Sequence, residues 1–149
     1  MTPPPQYSEA NYPEQRLSGL VIAAGYAVHR AFAFGFLESV YRKAMVAELL
    51  HRGAAVQQEV PFKLLHLGVD VGVYRADIIV KDRMIIEVKT GVLPDPIAPV
   101  QLLNYLAASG LELGLVLHFG PRLEVKRMVR SREHPSVALE DCTAFRMKP

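Results

Sequence analysis

The sequence predicts an α/β domain built on a mixed β-sheet, and three observations support this class. Two helical patterns come first, three β-rich segments follow, and a short helix and a strand pair complete the order. The length of 149 residues is ordinary for one domain. With 50% hydrophobic and 21% charged residues, the chain is not expected to be disordered. We expect a single domain over residues 15–149, preceded by an extended or mobile N-terminal arm over residues 1–14.

Two helices open this domain. From residue 15 to about Phe32, apolar residues recur at steps of three and four, which is helical spacing. The stretch GFLESVYRKAMVAELLHRG, residues 35–53, is rich in helix formers and has Glu38 in its first turn. Gly53 is a typical C-terminal stop, so this segment predicts the second helix.

Strands fill most of the remaining chain. Residues 54–89 group β-branched and other apolar residues into three segments, with breaks at Leu67-Gly68 and at residues 81–83. This pattern predicts three successive antiparallel strands. The proline-rich stretch over residues 90–100 predicts a loop.

A helix and two strands complete the predicted order. Residues Gln101 to Ser109 form a helical segment that ends at Gly110. Residues 111–120 and 122–130 predict a strand pair, and the tail from Ser131 onward has no clear period.

The composition argues against several classes of protein. A single cysteine, Cys142, excludes an intramolecular disulfide framework and a multi-cysteine zinc site, and it favours a reducing, cytoplasmic location. We expect no secretory signal and no membrane segment, because no stretch has the required apolar length and flanks. The formal net charge of +2 neither demands nor excludes a polyanionic partner.

Three ionisable residues interrupt apolar strands and are the candidates for chemistry. They are Asp77 in YRADIIV, and Glu87 and Lys89 in MIIEVKT. Side chains two residues apart on a strand share a face, so Glu87 and Lys89 project together. With residues 81–83 as the hairpin loop, counting back along both strands places Asp77 opposite Glu87, at a Cβ separation of about 4.5–5.5 Å.

Two facing carboxylates repel each other in a partly buried site, and a divalent cation removes that repulsion. Oxygen ligands without a neighbouring Cys or His favour Mg²⁺ or Mn²⁺ over zinc. Such an ion polarises a phosphate oxygen and activates a bound water, while Lys89 orients that water or stabilises charge at phosphorus. The pattern predicts phosphodiester hydrolysis. The alternative is a cross-strand ion pair on a solvated face.

The same residues resemble a nuclease superfamily. Asp77 followed by the run Ile86 to Lys89 is similar to the D…(D/E)XK core of the PD-(D/E)XK superfamily, which implies a restriction-endonuclease-like mixed sheet flanked by helices. Residues 35–41, GFLESVY, resemble GxxExxY, the signature of a family of small bacterial proteins placed in that superfamily. Further similar segments are Val28-His29, Tyr74 to Asp77 and Gln101 to Leu106, and the resemblance runs from about Leu17 to Arg130.

The resemblance implies a role for each matching position. Asp77 and Glu87 are the implied metal-binding carboxylates, with the backbone carbonyl of Val88 as a third ligand. Lys89 is the implied catalytic lysine. Glu38 is implied as an additional acidic residue that points from the second helix into the site.

Other motif residues have two interpretations. Gln101 and Tyr105 resemble the QxxxY element of a subset of these nucleases, which implies substrate binding, and four residues place them on one helix face. Ordinary helix packing is the alternative for both. Glu38 has the alternative of a favourable charge at a helix N-terminus. Tyr41 is interpreted as packed support, and His29 as a helix-end histidine satisfied by backbone.

We therefore predict a metal-dependent nuclease that uses Mg²⁺ or Mn²⁺ and acts on nucleic acid, with DNA as the favoured substrate. The alternative is a catalytically inactive nuclease-like fold that serves as a nucleic-acid-binding or protein-assembly module. The short chain leaves specificity to a second copy in a homodimer or to a partner protein. One basic cluster is interpreted first as a solvated strand face and otherwise as a phosphate-tracking edge: Arg122, Lys126, Arg127, Arg130 and Arg132.

Overall fold

The structure is a computed structural model that describes residues 15–130 and the backbone of residues 144–146. Within that part of the chain, helices and strands follow the predicted order through β5, and a short strand β6 comes last. The elements are α1 (Gln15–Phe32), α2 (Glu38–His51), β1 (Val56–His66), β2 (Val69–Val80), β3 (Met84–Thr90), α3 (Ala98–Ser109), β4 (Leu113–Phe119), β5 (Leu123–Val129) and β6 (Ala144–Arg146).

The strands form one mixed sheet in the order β5-β4-β3-β2-β1-β6. Strand β3 runs parallel to β4, and the other neighbouring strands are antiparallel. The β2–β3 hairpin turns at Lys81 and Asp82, whose φ values are 51° and 56°. It pairs Val80 with Met84, which confirms the register predicted for this hairpin. The mixed α/β architecture is therefore the predicted, restriction-endonuclease-like one.

Helices cover both faces of the sheet. Helices α1 and α2 pack on one face against Ile86 and Val88 of β3, whereas α3 packs on the other face against Ile85. Because side chains alternate along a strand, Glu87 and Lys89 lie on the same face as Ile85. The acidic and basic candidates of β3 are thus on the α3 side of the sheet.

Strand β2 interrupts its alternation at Asp77. Ala76 packs in the α3 core, but Ile78, two residues later, packs in the α1–α2 core. Opposite this break lies Glu59 of β1, whose φ of 48° is unusual for a residue other than glycine. The β2–β3 pairing extends only to Ile78 and Ile86. The two strands therefore separate at the position that holds Asp77.

The prediction differs from the structure at the start of α3 and at strand β6. Helix α3 begins at Ala98 rather than Gln101, because Pro99 is tolerated in a first turn, where its missing N–H has no partner to lose. Strand β6 pairs with β1 and was not predicted, since three residues carry no usable period. The predicted arm over residues 1–14 lies outside the described residues. Among the helices described, none has the length and apolarity to cross a membrane.

Candidate active site

Asp77 and Glu87 lie side by side where β2 and β3 separate. The backbone N–H of Val88 donates to Oδ2 of Asp77 at 3.0 Å, and the two carboxyl groups share a hydrogen bond. Glu87 is only 7% exposed, while Asp77 is half-buried. The structure thus brings together the two carboxylates that the hairpin register predicted to face each other.

Burial and charge repulsion act together on Glu87. Loss of hydration, followed by the nearby charge of Asp77, raises the pKa of Glu87 to about 8. The hydroxyl of Tyr74 and the ammonium of Lys89 act in the opposite direction on this pKa, because both stabilise the carboxylate form. The metal-free site therefore holds a proton on Glu87 at neutral pH.

Two stacked tyrosines support this carboxylate from the α3 side. The hydroxyl of Tyr74 donates to Oε1 of Glu87. The ring of Tyr74 stacks on Tyr105 of α3, with centroids 3.5 Å apart and planes inclined by 10°. Burial, followed by the charge of Glu87, raises the pKa of Tyr74 well above its usual range, so this hydroxyl remains a donor. Helix α3 thereby fixes the orientation of Glu87 through two aromatic side chains.

Lys89 lies two residues beyond Glu87 on the same face of β3. It is half-buried and pairs in register with His118 of β4. Its side chain lines a cleft of about 430 Å³ between the sheet and the start of α3. Lys89 therefore connects an open cleft to the carboxylate pair, which lies two residues back along the same face of β3.

Residues 35–41, which resemble GxxExxY, form the end of the loop before α2 and the first turn of that helix. Tyr41 is fully buried, donates to the carbonyl of Ala33 at 2.6 Å and accepts from the N–H of Phe36 at 3.2 Å. Gly35 has a φ of 121°, which favours glycine. Tyr41 thus has the supporting role expected of it.

Glu38 is the first residue of α2 and is half-buried. Helix α2 packs on the face opposite Glu87. In residues 15–130, no three His, Cys, Asp or Glu side chains form a group able to hold a metal ion. Glu38 is therefore not brought into one ligand group with Asp77 and Glu87.

Two histidines hold the loops that follow β3 and β4. His29 of α1 donates through Nε2 to the carbonyl of Gly120 at 2.8 Å, which matches the backbone-satisfied role expected for it. His118 donates through Nε2 to the carbonyl of Gly91 at 2.9 Å. A Cβ on Gly120 would lie 3.0 Å from the Gly91 carbonyl oxygen, so the two loops touch. The loops that follow β3 and β4 are therefore held by hydrogen bonds from α1 and from β4.

The remaining candidates divide between the cleft and the helices. Gln101 is half-buried on α3, one turn before Tyr105. Lys126 of β5 lines the same cleft as Lys89. Arg127 points to the other face, where its Nε donates to Ser18 of α1 at 3.4 Å. Arg132 of the basic cluster lies outside the described residues.

The carboxylate pair fits a divalent cation. It offers only oxygen ligands, and its mutual repulsion, which raises the pKa of Glu87, is of the kind that a bound cation relieves. Asp77, Glu87 and the backbone carbonyl of Val88 are the atoms that could hold the ion. Two of the carboxylate oxygens already accept hydrogen bonds, from Tyr74 and Val88.

Sequence reasoning missed Tyr74 as a site residue. Strict alternation places Tyr74 and Asp77 on opposite faces of β2, because they are three residues apart. The break at Asp77 changes this relation and turns Tyr74 toward Glu87. A positive φ at Glu59, opposite the break, is the backbone feature that accompanies it, and no sequence signal for it is evident.

A family model and a solved structure are similar to this chain. The family model described as the PD-(D/E)XK nuclease superfamily matches residues 15–129. A solved structure described as "Crystal structure of SSO0001" is 22% identical, with a TM-score of 0.48, over 82% of this chain. The match spans 59% of that structure's own chain. No curated protein matches the sequence.

Proposed function

The chain belongs to the PD-(D/E)XK nuclease superfamily, and on that premise we propose that it is a metal-dependent nuclease acting on DNA. What supports this activity most directly is the contact between Asp77 and the buried Glu87, two residues before Lys89, whose side chain lines a cleft. We place the chain in the GxxExxY group of the superfamily on residues 35–41.

Each residue of the site has a distinct task. Asp77 and Glu87, with the carbonyl of Val88, hold Mg²⁺ or Mn²⁺. When bound, such an ion supplies a polarised phosphate oxygen and a water of lowered pKa. Tyr74 keeps Glu87 in place by donating to Oε1.

The other candidates act on the substrate. Lys89 carries a fixed positive charge on the same face as Glu87, where it orients the attacking water and neutralises charge that develops at phosphorus. Gln101 and Tyr105 orient the nucleic acid from α3. Glu38, at the start of α2, is the additional acidic residue of the proposal, although α2 packs on the face opposite Glu87.

One observation favours a second candidate function. Tyr74 and the N–H of Val88 already occupy one oxygen on each carboxylate, and residues 15–130 contain no group of three metal-binding side chains. A nuclease-like module that binds nucleic acid or assembles with a protein, without cleavage, would need no more than this.

Cleavage assays separate the two functions. Purified protein is incubated with single-stranded, duplex and branched DNA and with RNA, in Mg²⁺, Mn²⁺ or EDTA. We expect metal-dependent cleavage that Lys89→Ala reduces by about a thousandfold, the magnitude typical for removing one charge-stabilising donor. Lys43→Ala, on the exposed side of α2, is the control and leaves cleavage unchanged.

Equal residual cleavage by wild type and Lys89→Ala contradicts the assignment. Titration of Mn²⁺ by calorimetry tests the metal site independently of cleavage. Binding that Asp77→Asn abolishes supports the metal site, whereas absence of binding to the wild type supports the module.

A further inference from the structure

The cleft beside Lys89 contains groups that metal-dependent cleavage does not use. It lies between β3, β4 and β5 and the segment that leads into α3, and it measures about 430 Å³. Volumes of roughly 300–1,000 Å³ are typical of sites for small molecules. Apolar wall residues include Pro94, Pro96 and Val116. The size and walls suit a unit the size of one nucleoside.

The polar lining of the cleft is balanced in charge. Lys89 and Lys126 are opposed by Asp95 and Glu124. Surfaces that track a phosphate backbone carry an excess of positive charge, because each phosphate is an anion. The two carboxylates would repel phosphate groups. The interior of the cleft is therefore suited to the uncharged part of a nucleotide rather than to its backbone.

The cleft also offers hydrogen-bond acceptors. Asp95 and Glu124 contribute carboxylate oxygens, and one oxygen of Asp95 already accepts from the N–H of Ile97 at 2.9 Å. His118 lines the cleft and is 4% exposed. Its Nε2 donates to the carbonyl of Gly91, and its Nδ1 is buried without a partner among the described residues. His118 therefore forms part of the cleft wall, and the two carboxylates are the acceptors.

From this lining we propose that the cleft takes one unpaired nucleobase of the strand that is cut, which rests on the nuclease activity proposed above. The amino and imino groups of a base are donors that match Glu124 and Asp95. The prolines and valines contact the faces of the ring. Lys89 and Lys126, at the rim, meet the adjoining phosphates.

The base must be unpaired because the cleft uses the same hydrogen-bond donors as base pairing. In a duplex, the donors of the Watson–Crick edge are engaged by the complementary base. A base that enters a pocket must leave the stack, and the energy for this is lowest in a single strand or at a mismatch. Substrates with single-stranded character are therefore expected to bind best.

Binding measurements with Ca²⁺ in place of Mg²⁺ test this inference without relying on cleavage. Labelled single strands of oligo-dC and oligo-dT are compared by fluorescence anisotropy with an abasic strand of the same number of phosphates, and with a blunt duplex. We expect the abasic strand and the duplex to bind about tenfold more weakly than oligo-dC, which corresponds to about 1.4 kcal/mol.

A conservative variant assigns the effect to the cleft. Glu124→Gln keeps the size of the side chain and lies on an exposed position of the edge strand β5. It should weaken the binding of oligo-dC at least threefold and leave the binding of the abasic strand unaffected. Glu59→Gln, on β1 and outside the cleft, is the matched control. Thermal melting verifies that both variants fold.

The outcomes are distinguishable. Equal affinity for abasic and natural strands overturns base binding, as does a Glu124→Gln effect no larger than that of Glu59→Gln. Competition by free dCMP at the concentrations at which the strand binds overturns a strand-bound role in favour of a free nucleotide. If the protein cleaves abasic and natural strands equally well, base binding in the cleft is contradicted but the nuclease activity is not. If binding depends on the base but no strand is cleaved in Mg²⁺ or Mn²⁺, the nuclease activity is contradicted and base binding in the cleft is supported.

Discussion

Replacement of Glu87 by glutamine is expected to stabilise the metal-free protein. Glu87 is 7% exposed and lies against Asp77, so its ionisation is opposed by both burial and a like charge. In Glu87→Gln the charge is gone, the side-chain oxygen still accepts from Tyr74, and the new amide can donate to Asp77. The substitution thus keeps a hydrogen bond between the two side chains at pH values where the glutamate would ionise and be repelled by Asp77.

The magnitude follows from the displaced pKa. The pKa of Glu87 rises from 4.5 to about 8 on folding. Each unit corresponds to about 1.4 kcal/mol, so the glutamate costs on the order of 4 kcal/mol of folding free energy at pH 8. For a chain of this size, each kcal/mol shifts Tm by about 2–4 °C, which predicts an increase of roughly 8–16 °C for the variant at that pH.

The sign of the pH dependence is specific. Between pH 4.5 and about 8, Glu87 is protonated in the folded protein and ionised in the unfolded chain. The folded state binds more protons in this window, so the stability of the wild type falls as pH rises. Below pH 4.5 both states are protonated and the cost disappears. The advantage of Glu87→Gln should therefore be small at pH 5 and largest at pH 8.

Thermal melts in EDTA at pH 5 and pH 8 check this expectation. Glu59→Gln, at a carboxylate whose side chain is 64% exposed, is the control and should change Tm little at either pH. A Glu87→Gln effect that is the same at both pH values, or a loss of stability at pH 8, would refute the electrostatic reasoning. Added Mn²⁺ should raise the Tm of the wild type and not that of the variant, because the variant lacks one ligand charge.

Further expectations concern the site and the core. Tyr74→Phe removes the donor to Glu87 but keeps the stacked ring, so Mn²⁺ affinity by calorimetry should fall about tenfold, as for other groups that orient a metal ligand; unchanged affinity would argue against that role. Tyr41→Phe leaves two backbone groups of the loop before α2 without their partner, and we expect a loss of about 1–3 kcal/mol in urea unfolding. Gly114→Ala places a Cβ 2.8 Å from Leu102 and should cost about 1–3 kcal/mol. Gly19→Ala on α1 meets nothing within 4 Å and should stabilise by about 1 kcal/mol; equal effects of the two alanines would contradict the packing described.

The parts of the site predicted from sequence are those set by local rules. The hairpin turn at residues 81–83 determined the β2–β3 register, and alternation placed Glu87 and Lys89 on one face. Residues 35–41 and the Asp77 to Lys89 segment resemble motifs of the superfamily, and the family model confirms that membership. Each of these signals involves residues close in sequence, where turn chemistry and side-chain period act directly.

The parts that could not be predicted depend on long-range packing. Tyr74 reaches Glu87 only because β2 changes face at Asp77. The cleft combines residues from β3, β4, β5 and the loop before α3, which are distant in sequence. In the sequence, His118 has no signal beyond that of a strand residue. It lines the cleft only because β4 pairs between β3 and β5. Strand β6 depends on its partner β1 rather than on its own three residues.

The two loops held by His29 and His118 connect the strand end that carries Lys89 to the layer formed by α1. His29 extends from α1 to Gly120, and His118 holds Gly91, one residue after β3. Because these loops touch, a displacement of α1 would be transmitted to the backbone that follows Lys89. Helix α1 therefore supports the position of the strand end that carries Lys89, although it packs on the opposite face of the sheet.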